Sequence, residues 1–451
     1  MTFFNSFAPG RSGLAVAGLL AALLSTGPAL AALPIQHWTQ ADGAEVYLVE
    51  SPAIPMVDVQ IDFDGGSRRD PATQAGLAAV TAAMTGRGVR VHGPELALDE
   101  NALSEAWADL GASFGGSADR DRLSFGLRSL TDPALLDKAA DLAARQLGEP
   151  LLPDAIWQRD RERLVAELKE ADTRPGTLAS KAFEQAVYGD HPYGQQIRPE
   201  TLAAINTGDM KAYLDRTVQA CGAKVSLVGA LDRPQADALV RRLLSRVPHG
   251  ACRSRPAVPE VSSLAAAREI VQPFDSAQAH VLIGQPGIAR SDPDYFPLLV
   301  GNYILGGGGF VSRLTSEVRE KRGLSYSVYS YFAPGLHAGA FTLGLQTRPD
   351  QAAEAIRVAR EVLARYVAEG PSAEELQAAK DNLVGGFALR IDTNRKLLDN
   401  VANIAWQNLP LNYLDGWTEQ VQRVSVADIR AAFARHLQPD RMVTVTVGAR
   451  P

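Results

Sequence analysis

The chain has 451 residues, of which 46% are hydrophobic and 21% charged, and its formal net charge at pH 7 is −6. This length exceeds what one ordinary hydrophobic core accommodates, so we expect two or more domains. Lys and Arg are scattered through an acidic chain, which excludes the basic stripe typical of nucleic-acid-binding proteins. We therefore expect no nucleic-acid partner.

The first 31 residues have the composition of a secretory signal peptide. Arg11 is their one charged side chain, Leu14–Leu24 is an unbroken apolar run, and Ala29-Leu30-Ala31 matches the small-x-small cleavage pattern. The apolar run is too short to span a bilayer comfortably. The sequence predicts a signal peptide over 1–31, a periplasmic or secreted protein, and no membrane anchor after cleavage.

Hydrophobic periodicity predicts strands and helices that do not follow a strict β-α-β order. The predicted strands are Ala44–Glu50, Val57–Phe63, Leu123–Leu127, Lys224–Gly229, Ala338–Gln346 and Met442–Gly448. The predicted helices are Asp154–Asp172, Pro234–Val247, Pro349–Ala368 and Ser372–Leu389. This pattern predicts an α+β fold in which helices pack on one face of each β-sheet.

Landmarks in the two halves of the chain recur at a near-constant offset. Asp-Pro pairs that follow a strand-like run begin at Asp70 and Asp292, which lie 222 positions apart. Val-Gly-Ala sequences late in each half place Gly229 and Gly448 219 positions apart. Two landmarks that keep register within three residues favour a duplicated domain.

A stretch rich in Pro, Ser and Ala, 249–264, breaks every periodic pattern and is predicted to be the linker. The domains then span 32–248 and 265–451. The two cysteines of the chain are Cys221 and Cys252. In an oxidising compartment they can form a disulfide, but two separate small apolar side chains are an equally acceptable interpretation.

The segment Gly66–Met84 indicates a strand end, a turn and a helix. Asp70 is expected as the N-cap and Pro71 as the first helical residue. This layout resembles the zinc-site helix of the insulinase/pitrilysin-type metallopeptidases, which carry the inverted zinc motif H-x-x-E-H at this place.

At the positions that match the motif, this chain has Ala79, Ala82 and Ala83. Alanine has no lone pair for zinc and no group that polarises water. The resemblance therefore implies the framework of the family without its metal chemistry, and no metal bound by this chain.

The segment Asp160–Asp172 resembles the helix that bears the third zinc ligand of the family, with Glu167 at the ligand position. One carboxylate without two imidazoles does not hold zinc usefully. A solvated Glu167 paired with Arg163 or Arg174 is the better interpretation.

The segment Gly306–Phe332 closely resembles the C-terminal domain signature of the same family. An Arg and a Tyr seven positions apart there reach toward the zinc-bearing domain and bind the substrate backbone around the scissile carbonyl; Arg319 and Tyr326 match them. Gly323 is expected to end the intervening helix as a left-handed cap. Alternatively, Arg319 is a surface cation and Tyr326 a core side chain. The glycines Gly306–Gly309 are not followed by the Gly-Lys-Ser/Thr of a P-loop, and they favour a flexible or closely packed backbone that lines a cleft.

The resemblance covers the mature chain and implies two related domains that face each other as a half-clam. Some members of the family divide the work between two chains, and this one resembles the chain without H-x-x-E-H. We expect a non-catalytic, substrate-binding subunit of a secreted zinc endopeptidase, with zinc on a homologous H-x-x-E-H partner and a peptide as substrate. The alternative is a proteolytically inert structural or peptide-holding protein on the same fold.

Overall fold

The computed structural model describes residues 34–250, 252 and 255–449, so the predicted signal peptide, 1–31, lies outside the described residues. The strands are β1 (Gln36–Thr39), β2 (Glu45–Glu50), β3 (Met56–Asp64), β4 (Gly88–Val89), β5 (Leu98–Asp99), β6 (Ser113–Ala118), β7 (Arg122–Leu130), β8 (Lys224–Gly229), β9 (Arg268–Gln272), β10 (Ala279–Pro286), β11 (Ser327–Phe332), β12 (Ala340–Thr347) and β13 (Val443–Val447). The helices are α1 (Leu77–Met84), α2 (Glu100–Asp109), α3 (Pro133–Gly148), α4 (Asp154–Ala171), α5 (Pro175–Tyr188), α6 (Pro199–Ala203), α7 (Thr207–Thr217), α8 (Arg233–Leu243), α9 (Tyr295–Asn302), α10 (Ala352–Glu369), α11 (Ala373–Gly385), α12 (Asn394–Trp406), α13 (Tyr413–Arg423) and α14 (Val426–His436).

The two main sheets have the same strand order, which confirms the duplication. The first sheet runs β1-β2-β8-β3-β7-β6, and the second runs β9-β13-β10-β12-β11. In each sheet an inner strand, β3 or β10, is antiparallel to both of its neighbours. Each sheet also contains one parallel pair, β2 with β8 in the first sheet and β9 with β13 in the second. The first sheet differs by the added edge strand β1. The fold is therefore α+β with two related domains, as the sequence predicts.

Each sheet is covered on its second face by a helix from the other half. Helix α5 of the first half packs on β10 and β13, and helix α12 of the second half packs on β3 and β8. Strand β13 reads VTVTV and all five residues are buried, which its position between two helical layers requires. The prediction that helices pack on one face of each sheet therefore holds for the helices that belong to the same half as the sheet. It did not include the helix from the other half that covers the second face.

The contact of α5 with the second sheet and the contact of α12 with the first sheet differ in polarity. Under α5 the surface is apolar, with Phe183 against Val443 and Val445. The face of β3 toward α12 carries two buried carboxylates, Asp58 and Asp62, each of which accepts hydrogen bonds from an arginine of β7. Burial raises the pKa of Asp62, although a nearby arginine opposes the shift.

The connection between the halves is pinned at several points. Cys221 and Cys252 form a disulfide with a Cα–Cα distance of 5.6 Å, which decides between the two interpretations of the cysteines. The ring of His191 lies 2.9 Å from the carbonyl oxygen of Pro259 through Nε2. No helix or strand occurs among the described residues between α8 and β9. The boundaries 32–248, 249–264 and 265–451 remain predictions.

Helix α1 begins later than the sequence suggests. Its N-cap is Gly76, so the expectation that Asp70 is the N-cap and Pro71 the first helical residue was wrong. Asp70 nevertheless caps the N-terminus of α1 from a distance. Its carboxylate accepts hydrogen bonds from the backbone N–H groups of Gly76 (2.9 Å) and Ala78 (3.0 Å). A short 3₁₀ turn occupies the intervening residues.

None of the helices among the described residues is both long and apolar enough to cross a membrane.

Candidate functional site

Arg319 and Tyr326 lie side by side, as the family resemblance implies. The guanidinium carbon of Arg319 is 4.5 Å from the ring centroid of Tyr326 and 4.8 Å from that of Phe310. These distances are within the range of cation–π attraction, so the two rings hold the guanidinium between them. Phe310 was missed by the sequence analysis, and the one signal that could have found it is its place directly after a run of glycines.

The turn between the two side chains explains why they meet. Gly323 has a φ of 62°, the left-handed conformation expected of it, and its N–H donates to the carbonyl of Arg319 at 2.8 Å. The next N–H, of Leu324, donates to the carbonyl of Val318 at 3.0 Å. The chain then reverses into β11, which begins directly after Tyr326 rather than including it. The cap thus turns Tyr326 back toward Arg319.

Two π-helical segments, Tyr303–Gly307 and Thr315–Glu320, frame the site. Wide turns of this kind are rare and concentrate at functional sites. The backbone packs closely at Gly306, where a Cβ would lie 2.5 Å from the backbone nitrogen of Ser330, whereas a Cβ at Gly309 would meet nothing within 4 Å. The amide of Asn302 donates to the carbonyl of Ser330 at 3.0 Å, which fixes α9 against β11.

A cavity of about 650 Å³ opens beside the pair, and we call it the Arg/Tyr pocket. Its wall consists mainly of apolar and aromatic side chains from α9, the glycine stretch and β11. Arg319 is half-buried, whereas Tyr326 is 78% exposed. The alternative in which Tyr326 is a core side chain is therefore wrong.

The cations of this segment are not equivalent. Arg313 makes two hydrogen bonds of 2.6 Å to Glu375, and both Lys321 and Arg322 pair with Glu317. Within residues 34–250, 252 and 255–449, the guanidinium of Arg319 makes no hydrogen bond or ion pair, and the hydroxyl of Tyr326 makes no hydrogen bond. The donors of these two side chains are thus available to a ligand.

The positions that match the zinc motif lie at a second cavity, of about 350 Å³, between α1 and α4. We call it the α1 pocket. Ala79, Ala83 and Glu167 all line it, so the structure brings the degenerate positions together with the leftover carboxylate. Ala82 is buried away from this cavity, and its carbonyl accepts a hydrogen bond from the hydroxyl of Thr85.

The residues of the α1 pocket do not suit zinc. Two methyl groups face the place where imidazoles would be needed, and the single carboxylate, Glu167, lies 3.4 Å from Arg163. Arg174 pairs with Glu170 instead. A zinc site needs three or four converging N, O or S donors.

One cluster of potential metal ligands among the described residues, Asp292, Asp294 and His436, lies outside both pockets. This cluster was not predictable from the sequence, because His436 is more than 140 positions away from the two carboxylates. Asp294 already pairs with Arg435 and lies 2.8 Å from the ring of His436. These contacts fix α14 against the start of α9, and the cluster has a structural explanation.

Family models match both halves of the chain. The model described as "Insulinase (Peptidase family M16)" matches residues 45–200, and the one described as "Peptidase M16 inactive domain" matches residues 204–383. A solved structure of a peptidase M16 inactive domain from Pseudomonas fluorescens is 33% identical, with a TM-score of 0.87 over 93% of this chain and 98% of its own. The chain belongs to the insulinase family, peptidase family M16.

Further M16-like relatives are similar over nearly the whole chain. An uncharacterized zinc protease of Mycobacterium bovis is 25% identical over 426 residues, which cover 93% of this chain and 94% of the relative. A non-peptidase homolog of Helicobacter pylori is 25% identical over 413 residues, covering 90% of this chain and 92% of the relative. Because the chain matches the inactive domain of the family and has alanines at the motif positions of α1, it is an M16 member of the non-catalytic type.

Proposed function

We propose that this M16 chain is the substrate-binding subunit of a secreted, heteromeric zinc endopeptidase. Its partner is a homologous chain that carries H-x-x-E-H and the zinc, and its substrate is a peptide. The observation that carries the proposal is that Arg319, which has no hydrogen-bond or ion-pair partner in the part of the chain that the structure describes, lies beside the exposed Tyr326 at the Arg/Tyr pocket. The predicted signal peptide supports a periplasmic or secreted location.

The chemistry of the pair suits a peptide undergoing hydrolysis. Negative charge develops on the scissile carbonyl oxygen, and preorganised N–H and O–H donors stabilise it. A phenol supplies one O–H donor, and a guanidinium supplies several N–H donors in a planar fork. Phe310 and the ring of Tyr326 hold Arg319 in place without occupying its donors. Zinc bound by the H-x-x-E-H residues of the partner would supply the activated water, and Arg319 and Tyr326 of this chain would orient the peptide and stabilise the developing charge.

The α1 pocket supports a second candidate function, a peptide-holding protein without any role in hydrolysis. Its apolar wall is suited to holding a side chain and offers no catalytic group. In that case Arg319 contributes affinity alone, and no zinc-bearing partner is needed.

Reconstitution distinguishes the two functions. The chain, the H-x-x-E-H homologue encoded by the same organism, and an equimolar mixture are each incubated with a fluorogenic peptide library. The first function predicts cleavage by the mixture only, together with a complex on size-exclusion chromatography. Equal cleavage by the homologue alone and by the mixture would contradict it and favour the peptide-holding function.

A further inference from the structure

Most of the side chains that line the α1 pocket are apolar, and four are charged. Its apolar lining includes Ala79 and Ala83 from α1, Trp157, Leu164 and Leu168 from α4, and Ile197. Helix α1 is otherwise well packed, yet the methyl groups of Ala79 and Ala83 are exposed on this side. The small size of the alanines, at positions where the H-x-x-E-H motif has long side chains, leaves this volume open.

The charged side chains around the α1 pocket are paired, although the buried Nε of Arg87 has no hydrogen-bond partner among the described residues. Arg87 lies 2.8 Å from Asp160, and Arg163 pairs with Glu167. The indole N–H of Trp157 donates to the carbonyl of Ile205 at 3.0 Å, so the buried Trp157 presents only carbon to the pocket. Two cations and two carboxylates cancel at the rim. The pocket therefore favours a neutral, apolar group over an ion.

The dimensions of the pocket limit the occupant further. A volume of about 350 Å³ is at the small end of ligand pockets, where one bulky side chain fits well. An amphipathic helix needs a longer groove with several anchoring points in series. The walls come from α1, α4, the segment that leads into α6, and α6 itself, and the hydrogen bond from Trp157 to Ile205 ties α4 to the chain directly after α6. The pocket is therefore preformed, which lowers the entropic cost of binding.

We propose that the α1 pocket binds one bulky apolar side chain, aromatic or branched aliphatic, of a peptide. This inference rests on the peptide-holding part of the proposed function, but it does not depend on a partner or on Arg319 and Tyr326. It assigns a specificity to the chain: peptides with such a residue bind better than peptides with a small polar residue at that place.

The test uses the full mature chain with ¹³C-labelled alanine methyl groups and two probes, N-acetyl-phenylalanine amide and N-acetyl-serine amide. The aromatic probe is expected to shift the methyl resonances of Ala79 and Ala83, and the serine probe is expected to leave them unchanged. The resonances are assigned by Ala79→Ser and Ala83→Ser. No shift at either methyl with the aromatic probe, or shifts only in residues of the Arg/Tyr pocket, would overturn the proposal.

Matched variants separate binding from an indirect effect. Ala83→Phe puts a phenyl group into the pocket itself, and the probe is expected to bind at least about tenfold more weakly, as judged from the Ala79 methyl. Ala166→Phe adds the same group at an exposed position of α4 that does not line the pocket, and probe binding is expected to stay unchanged. Equal effects of the two substitutions would contradict the assignment. Ala79→Phe, read from the Ala83 methyl, repeats the test if Ala83→Phe does not fold.

Because no partner and no turnover enter this experiment, its failure leaves the reconstitution result untouched. Likewise, a mixture that fails to cleave peptides does not alter the methyl shifts of the isolated chain.

Discussion

The α1 pocket and the Arg/Tyr pocket lie against corresponding helices of the duplicated halves, yet they differ in what they offer a ligand. At the α1 pocket, Arg87 and Arg163 are paired with carboxylates and the motif positions are methyl groups. At the Arg/Tyr pocket, Arg319 has no carboxylate partner among the described residues, although its neighbours Arg313 and Arg322 each have one. Thus the first half has alanines at the positions of the metal motif, whereas the second half has hydrogen-bond donors that no described residue occupies.

The substitution Arg319→Ala removes the guanidinium without a carboxylate partner among the described residues, which is the largest difference between the two pockets. In the reconstituted complex we expect Arg319→Ala to lower kcat/KM on the order of a hundredfold or more, because positioning and charge stabilisation are lost together. The control is Arg322→Ala, whose guanidinium already pairs with Glu317. Initial rates over a range of peptide concentrations measure both variants, and equal losses would mean that the contrast between paired and unpaired cations has no functional meaning.

Restoring the motif tests whether the α1 pocket lost only its donors. The triple substitution Ala79→His, Ala82→Glu and Ala83→His is expected to bring zinc content from near zero to about one ion per chain, since Glu167 lines the same pocket. Elemental analysis after dialysis measures it. Adding Glu167→Gln to the triple variant is expected to reduce the zinc content again. A folded triple variant without zinc would show that the orienting groups around the site are also missing.

The corresponding Asp-Pro pairs of the two halves, at Asp70 and Asp292, predict a difference in how stability depends on pH. Burial raises the pKa of Asp70 to about 7, whereas Asp292 is only half-buried. A folded-state pKa above the unfolded value of 3.8 means that the stability due to protonated Asp70 is present below about pH 4 and is lost as pH rises through 7. Asp70→Asn cannot titrate, so the difference in Tm between wild type and variant is expected to shrink by about 2 °C or more from pH 4.5 to 7.5. Asp109→Asn, at an exposed site, is the control, and a difference independent of pH would refute the assignment.

The smallest effect concerns the ion pair at the rim of the α1 pocket. Both Arg163 and Glu167 are more than half exposed, so the pair is screened by water. Arg163→Ala is expected to change the free energy of unfolding by less than about 0.5 kcal/mol, as measured by urea titration. A loss several times larger would mean that Glu167 depends on this arginine, and that the α1 pocket is more polar than its lining indicates.

Local signals predicted the fold where elements carry strong periodicity. Strand Lys224–Gly229 was predicted to the residue, and α4 to within one. The exchange of α5 and α12 between the halves was not predictable, because an apolar helix face does not specify which sheet it covers. The late start of α1 was missed for a related reason: Asp70 caps the helix across a six-residue gap that a local N-cap rule does not include.

The candidate site was predictable to a different degree. Arg319, Tyr326 and Gly323 came from the family resemblance and lie together as it implies. The finding that Arg319, unlike its neighbouring cations, has no carboxylate partner among the residues that the structure describes required side-chain positions, because the partner of Arg313, Glu375, lies 62 positions away. The α1 pocket required them too: three alanines reveal the lost ligands, but not the apolar wall formed by α4 and Ile197.

The role of the Tyr326 hydroxyl can be measured by itself, since Tyr326→Phe removes one oxygen atom and keeps the ring that contacts Arg319. In the reconstituted complex we expect kcat to fall on the order of a hundredfold while subunit association on size-exclusion chromatography stays unchanged. The control Tyr329→Phe removes the hydroxyl of a second tyrosine that lines the Arg/Tyr pocket and stacks on Tyr331, and because this tyrosine is not one of the rings beside Arg319, kcat is expected to stay within about twofold. A Tyr326→Phe complex with near-normal turnover would contradict a role in hydrolysis and leave this chain as a peptide-holding protein.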